Sequence, residues 1–422
     1  MSGAANSVGD RHISIDAVRG FAVLGILLMN IVGMGLPAFA YLDPTYAGGS
    51  TGADFWTWAV NNVLTDGKMR ALFTMLFGAS AVLIAERAEG SQPGPAATHY
   101  RRMFWLFVIG MLHAYFLWWG DILVTYALAG LVIFPFRKLS VRAQLAIGVA
   151  ILAALLGVNL FVAGQLEGLH TAAMAPGATP AAAKAWQEAS QLVAPSPAMG
   201  LQEIAGYRGG FLDALRVRAL AAQLIQTYLM PTGEIPEAIG QMFVGMALFR
   251  TGFFTLDWSN RSYRTAIGVG YLLAAPATAW LAWKIQQSNF DPLVLNHLEA
   301  WQQVTRPLIA LAHASVLLLI IRAGFAQAVV SRLSAAGRMA FSNYLMTSII
   351  TTFVFCGFGF GLYGRLSRFG ELAVVAGVWA FIQIWSQPWL ARFHYGPFEW
   401  AWRSLVRWSP QPFVRAKAAA VA

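Results

Sequence analysis

Residues 143–163 read AQLAIGVAILAALLGVNLFVA, 21 consecutive positions without a charge. At about 1.5 Å of rise per helical residue, such a run spans about 30 Å, the thickness of a bilayer's hydrocarbon core. Working outward, further apolar runs lie near 15–36, 69–86, 103–119, 121–136, 237–253, 264–284, 303–323, 338–360 and 371–390, of which 121–136 is short. The chain therefore reads as an all-α, polytopic transmembrane bundle of about ten helices. Segment 55–66 (FWTWAVNNVLTD) reads as an amphipathic helix lying at the interface. Residues 164–236 form one large hydrophilic loop inserted in the single domain 1–422. Within it, the Ala/Pro-rich stretch 171–198 is expected to be mobile. A helix is expected over 203–229, where Arg208, Asp213, Arg216 and Arg218 sit beside apolar residues and suit a membrane-capping position.

Composition agrees. The 422 residues are 58% hydrophobic and 11% charged, with a mean hydropathy of +0.57. A soluble domain carries about 25% charged residues, so there are too few charges here to coat a water-facing surface. The net charge of +10 would suggest nucleic acid in a soluble protein. Sorted by membrane side, however, 19 of the 29 Lys and Arg fall on the N-terminal side, with 6 of the 19 acidic residues. That is the positive-inside pattern, and it predicts both termini in the cytoplasm, the 164–236 loop outside and 391–422 as a cytoplasmic tail. No nucleic-acid partner is needed. Ala38-Phe39-Ala40 looks like a signal-peptidase site, but the run before it is long and carries Asp16 and Arg19, so a retained helix is expected. The single cysteine, Cys356, excludes an internal disulfide and reads as a packing residue.

Ionisable groups inside helices are costly in lipid, and each asks for a reason. Asp16 and Arg19 lie three apart on one face of the first helix, as a membrane-edge ion pair or as part of an anion site. His113 lies mid-helix in GMLHAYFLWWGD, and Asp121 follows eight residues later. On a continuous helix the two would stand about 12 Å apart, but the break at Gly120 can fold Asp121 back towards the ring. The pair then serves as a base and its orienting carboxylate, or else His113 is a buried ring bonded to a helix carbonyl. His313 has no carboxylate nearby in sequence and reads as a cross-helix bond. Lys68 either snorkels to the interface or contacts an anion. Arg338 and Asn343 combine a topology charge with an interhelical hydrogen bond, or join a site. Glu399 and Arg403 have the Glu-before-basic spacing of a helical ion pair, and a plain cap is the blander reading. The seven His show no metal-ligand spacing, and no serine-nucleophile elbow or Gly-rich phosphate loop is present.

Several blocks together carry a family resemblance. RHISIDAVRGFAVLGILLMNIVGMGLPAFAYLDP (11–44), GKMRALFTMLFGAS (67–80) and GMLHAYFLWWGDILVTYALAGL (110–131) come first. QMFVGMALFRTGF (241–253), GRMAFSNYL (337–345) and GPFEWAWR (396–403) follow in the same order. They resemble the YeiB-like family of bacterial inner-membrane proteins across nearly the whole chain, least in 165–205. The resemblance places the chain at a distance from the transmembrane acyltransferases, which include heparan-alpha-glucosaminide N-acetyltransferase. Those enzymes pass an acyl group from a cytoplasmic thioester to an acceptor on the far side. The carry-over falls on Asp16, Arg19, Asn30, Lys68, His113, Gly120, Asp121, Arg338, Asn343, Glu399 and Arg403. One departure stands out. In the heparan enzyme the acyl-handling histidine follows the first helix, whereas YLDPTYAGGSTGADFW (41–56) contains none.

The expected function is acyl transfer from a coenzyme A thioester, with His113 and Asp121 catalytic. Asp16, Arg19, Asn30, Lys68, Arg338, Asn343, Glu399 and Arg403 would then bind substrate. No cofactor is expected to be tightly bound, since acyl-CoA would act as donor substrate. Membrane lipids, a sugar or other small acceptor, and a second copy of the chain are the partners such a protein admits. Two alternatives remain at this stage: a transporter of a small or lipidic anion, and a non-catalytic membrane protein.

Overall fold

A computed structural model describes residues 8–90 and 92–415; residues 1–7, Ser91 and 416–422 lie outside it, and with them Lys417 of the expected tail. Helix α1 (Val8–Gly35) leads through a loop over 36–51, which holds a 3-10 turn at Ala38–Tyr41, to α2 (Gly52–Leu64), α3 (Lys68–Arg87), α4 (Pro95–Phe116) and α5 (Leu123–Ile133). Next come α6 (Val141–Met174), the loop helices α7 (Pro180–Val193), α8 (Pro197–Arg208) and α9 (Phe211–Leu224), and then α10 (Ile235–Arg250). The chain ends with α11 (Asn260–Gly268), α12 (Ala275–Gln287), α13 (Pro292–Arg322), α14 (Gln327–Arg338), α15 (Ala340–Phe355), α16 (Glu371–Arg392) and α17 (Pro397–Arg407). Among the described residues there is no strand, only an isolated bridge between Phe393 and Val414.

Helix starts are written locally. Pro95, Pro180, Pro197, Pro292 and Pro397 open their helices, where proline's missing N–H costs nothing. Ser140, Thr179 and Asp291 accept hydrogen bonds from first-turn amides of α6, α7 and α13. Five helical segments are long and apolar enough to cross a bilayer: Ile13–Gly35, Gly52–Arg87, Val141–Met174, Asn260–Gln287 and Pro292–Arg322. The other five apolar runs fall in shorter or less apolar helices, α4, α5, α10, α15 and α16. Helix α6 exposes Val149, Val158 and Phe161, and only 11% of its most apolar window is buried. A face so apolar and so open is untenable in water but ordinary in lipid, and the protein is a membrane protein.

Close helix crossings hold the bundle. Gly20 of α1 packs against the Leu333 carbonyl of α14, and Gly337 of α14 against the Asp16 carbonyl. Gly78 and Gly245 make the same exchange between α3 and α10, where a Cβ on either would meet the carbonyl of Met242 or Met75. Small residues that let backbones touch are how helices associate without a hydrophobic driving force.

The 164–236 region departs from expectation. Helix α6 continues to Met174, and α7 occupies half of the stretch expected to be mobile. The helix expected over 203–229 is two, because Gly209 and Gly210 break it. Both halves dock. Glu203 accepts from the Ala38 amide at 3.1 Å, and its Oε1 lies 2.7 Å from the Tyr363 hydroxyl. Arg208 donates to the Tyr363 carbonyl. Arg218 is 1% exposed and donates to the Phe116 carbonyl at 2.8 Å. Arg218 can sit in this dry contact because carbonyls at the end of α4 are left without helical partners.

Candidate functional site

Alternation of the helices brings the start of α1, the end of α3, and the starts of α4 and α15 to one end of the bundle, with α17 beside them. They enclose a cleft of about 610 Å³ whose walls carry six arginines: Arg19, Arg87, Arg102, Arg338, Arg403 and Arg407. Asp16 and Glu399 are the carboxylates among its lining residues. Arg19 is committed to Asp16 at 2.8 Å and also donates to Ser80 at 3.2 Å. Arg102 lies over the Trp402 ring and Arg403 over Tyr395. Arg338 and Arg407 are exposed to the cleft, and neither has a partner among the described residues. So many cations converging with so few carboxylates make a strong field for an anion, and guanidinium forks suit phosphate.

Glu399 is in the cleft wall but does not pair with Arg403. Its Oε1 accepts from the Phe341 and Ser342 amides at 2.8 and 3.0 Å, and its Oε2 from the Ser342 hydroxyl. It thus caps the first turn of α15 from another helix, which corrects the expected ion pair. Burial pushes its carboxyl up, against the Ser342 hydrogen bonds that favour the charged form.

A second group lies deeper. Helix α4 ends at Phe116, and the turn through Gly120 returns Asp121 to the His113 ring, with Oδ2 at 2.7 Å from Nδ1. Asp121 Oδ1 accepts from the Val124 amide at the start of α5, which fixes the carboxylate. His113 Nε2 lies 2.8 Å from the Ser348 hydroxyl of α15. All three residues are buried. With its proton on Nδ1, facing the carboxylate, the ring leaves Nε2 to accept from the Ser348 hydroxyl. Tyr344, one turn before Ser348, packs its ring against His113 with centroids 5.0 Å apart and the planes tilted by 38°, and it also lines the cleft. One helix therefore joins the two groups: Arg338 precedes it, Tyr344 faces the cleft and Ser348 reaches the histidine.

Ile122 and Tyr126 of the cleft wall also face a small polar cavity of about 10 Å³ behind it. There Arg70 pairs with Glu237 at 2.8 Å, Gln241 donates to Glu237, and Thr125 donates to Glu234.

Of the residues expected from sequence, Asp16, Arg19, Arg338, Glu399 and Arg403 meet in the cleft, and His113 and Asp121 meet behind it. The others do not join them. Lys68 is fully buried, donates to the Asn62 carbonyl and to Gln302, and so neither snorkels nor reaches the cleft. Asn343 bonds the Ala336 carbonyl and accepts from Trp385, an interhelical clasp. Asn30 is buried in α1 away from the cleft lining. His313 bridges Tyr271 and the Leu64 carbonyl. Arg87, Arg102 and Arg407 read in sequence only as topology charges. Ser348 was hidden by its neighbours, yet the polar stripe Ser342, Asn343, Thr347, Ser348 and Thr351 in an apolar helix is the signal that points to it.

The family model described as "Protein of unknown function (DUF418)" matches residues 248–409. The Escherichia coli K12 "Uncharacterized protein YeiB" is 31% identical over 406 residues, covering 94% of this chain and 96% of that protein. The Bacillus subtilis "Uncharacterized protein YxaH" is 26% identical, with 98% and 99% covered. An "Uncharacterized 39.9 kDa protein in amylase 3'region" from Bacillus acidopullulyticus is 25% identical, with 95% of each chain covered. No solved structure gives a significant match. With identity of this level running from end to end, the chain belongs to the YeiB-like family.

Proposed function

We propose that this is an acyltransferase of the bacterial inner membrane, with both termini in the cytoplasm, taking its acyl group from a coenzyme A thioester. The observation that carries the reading is the six-arginine cleft at the proposed cytoplasmic end, joined through Tyr344 to the His113–Asp121 pair. A polyphosphate headgroup would lie on the guanidiniums through charge-assisted bonds. The thioester arm would run along α15, and His113 would act as base with Asp121 holding its tautomer. The acceptor, a hydroxyl or amine of a small molecule or sugar, would approach from the outer face.

The small cavity lined by Arg70, Glu234 and Glu237 favours a second reading. Ionisable residues continuing beyond the cleft wall would suit a path for an anion coupled to protons. Proteoliposomes with acetyl-CoA on the side of the cleft separate the two. Acyl transfer releases free thiol there while the coenzyme stays in place. Transport carries intact ester across without releasing thiol. Passage of intact ester, with no thiol above protein-free vesicles, would reject the enzyme.

A further inference from the structure

We propose that Ser348 is a nucleophile that carries the acyl group as a covalent ester between donor and acceptor. The inference rests on the acyl-transfer reading above and adds a residue and an intermediate to it.

The hydroxyl's own environment points this way. On the same helix, Thr347 and Thr351 turn their hydroxyls back to carbonyls four residues earlier, each at 2.8 Å. Ser348 follows them only weakly. Its hydroxyl is 3.4 Å from the Tyr344 carbonyl but 2.8 Å from His113 Nε2. It keeps only a long bond to the usual partner of a helical serine and lies closer to a histidine whose other nitrogen faces a carboxylate. Asp121, His113 and Ser348 thus form a linear chain of acceptor, relay and hydroxyl, the arrangement that activates an otherwise weak alcohol. Ser348 also fills the position an acceptor would need to reach Nε2. As the chain is arranged, the proton that His113 can take is the one on Ser348.

Access runs through Tyr344. Its ring lies between His113 and the cleft, while its hydroxyl accepts from the Ile122 amide at 3.4 Å. Rotation of that ring would open a path from the arginines to Ser348. From the start of α15 at Ala340, just after Arg338, the path runs about eight residues, or about 12 Å, to Ser348.

The chemistry balances. His113 Nε2 takes the Ser348 proton as Oγ attacks the thioester carbonyl carbon. The carbon–sulfur bond breaks, and the departing thiolate takes the proton from the imidazolium, leaving an ester on Ser348 and free coenzyme A. An acceptor hydroxyl then attacks the ester carbonyl, His113 takes its proton, and the proton passes to the released Ser348 Oγ.

The test uses the full-length protein in detergent or nanodiscs, without acceptor, given acetyl-, succinyl- or palmitoyl-CoA in turn. With at least one ester, a burst of about one thiol per protein is expected, and intact-protein and peptide mass spectra should place one acyl group on Ser348. Ser348→Ala should lose both burst and label. Ser348→Cys should keep the label as a hydroxylamine-sensitive thioester, which separates loss of the nucleophile from loss of fold. If an ester stabilises the protein but no thiol burst appears and no acyl group is found on Ser348, the covalent step is wrong and transfer is direct. If no ester stabilises the protein or releases thiol, the acyl-transfer reading fails, and this proposal with it.

Discussion

His113 is held from three sides, by Asp121, Ser348 and the face of Tyr344, and its two nitrogens are differentiated by what they face. His113→Gln keeps polar contacts but loses the titrating ring, and removing a general base typically lowers rate by about 10²–10⁴-fold. Thiol release from an acyl-CoA should fall by that order in the variant at matched folded protein, with donor affinity nearly unchanged. Preserved release per folded molecule, with lower protein stability, would make the histidine structural. Arg338 faces the cleft without a partner, so Arg338→Ala should weaken donor binding with little effect on folding. One charge-assisted bond contributes about 1.5–3 kcal/mol, so affinity should fall about tenfold or more in a titration at low salt. At this scale the sequence was legible where chemistry sat close along the chain. Asp16 with Arg19 follows from helical spacing, and His113 with Asp121 from the break at Gly120. It was illegible where the partner is distant. Ser348 lies 235 residues from His113, and Glu399 binds amides of α15 rather than the arginine one turn away.

Helix crossings set the next scale, and their predictions concern stability. A side chain at Gly245 would press on the Met75 carbonyl, whereas Gly157 of α6 has open space around it. Gly245→Val should destabilise the bundle by about 1–3 kcal/mol or more, as overpacking does. Gly157→Ala should be neutral or slightly stabilising, because glycine is the poorer helix former by about 1 kcal/mol. Thermal midpoints in one detergent compare them directly. The docked loop supplies a pH dependence. Burial raises the Glu203 carboxyl above its ordinary range, against the hydrogen bonds from Tyr363 and Ala38. The folded state then holds this proton more tightly than the unfolded chain does. Its contribution is greatest below the ordinary carboxylate range and is lost as pH rises through the elevated value. Glu203→Gln should flatten that part of the midpoint-against-pH curve, and an unchanged slope would remove Glu203 from the dock. Apolar runs marked where the helices of the bundle lie, and five of the resulting helical segments are long and apolar enough to cross a bilayer. They marked the loop poorly. Helices α7, α8 and α9 are short, and contacts far away in sequence position two of them, α8 at Ala38 and Tyr363 and α9 at the Phe116 carbonyl.

For the whole molecule, the basic residues that suggested an orientation are also those that build the cleft: Arg19, Arg87, Arg102, Arg338, Arg403 and Arg407. Orientation and donor site are thus one claim. A reporter fused after Ala422 should be active only in the cytoplasm, and activity on the outer face would put the cleft where no coenzyme A ester is supplied. Charge counting could reveal the side but not the enclosure, since the six arginines come from five helices that only the fold brings together. The most direct measurement is therefore donor binding itself. Purified protein should be stabilised by an acyl-CoA, by about 2.7 kcal/mol at one hundred times the dissociation constant. The effect should shrink with added salt and in Arg338→Ala. An unchanged midpoint across acetyl-, succinyl- and palmitoyl-CoA at millimolar concentration and low salt would contradict the account.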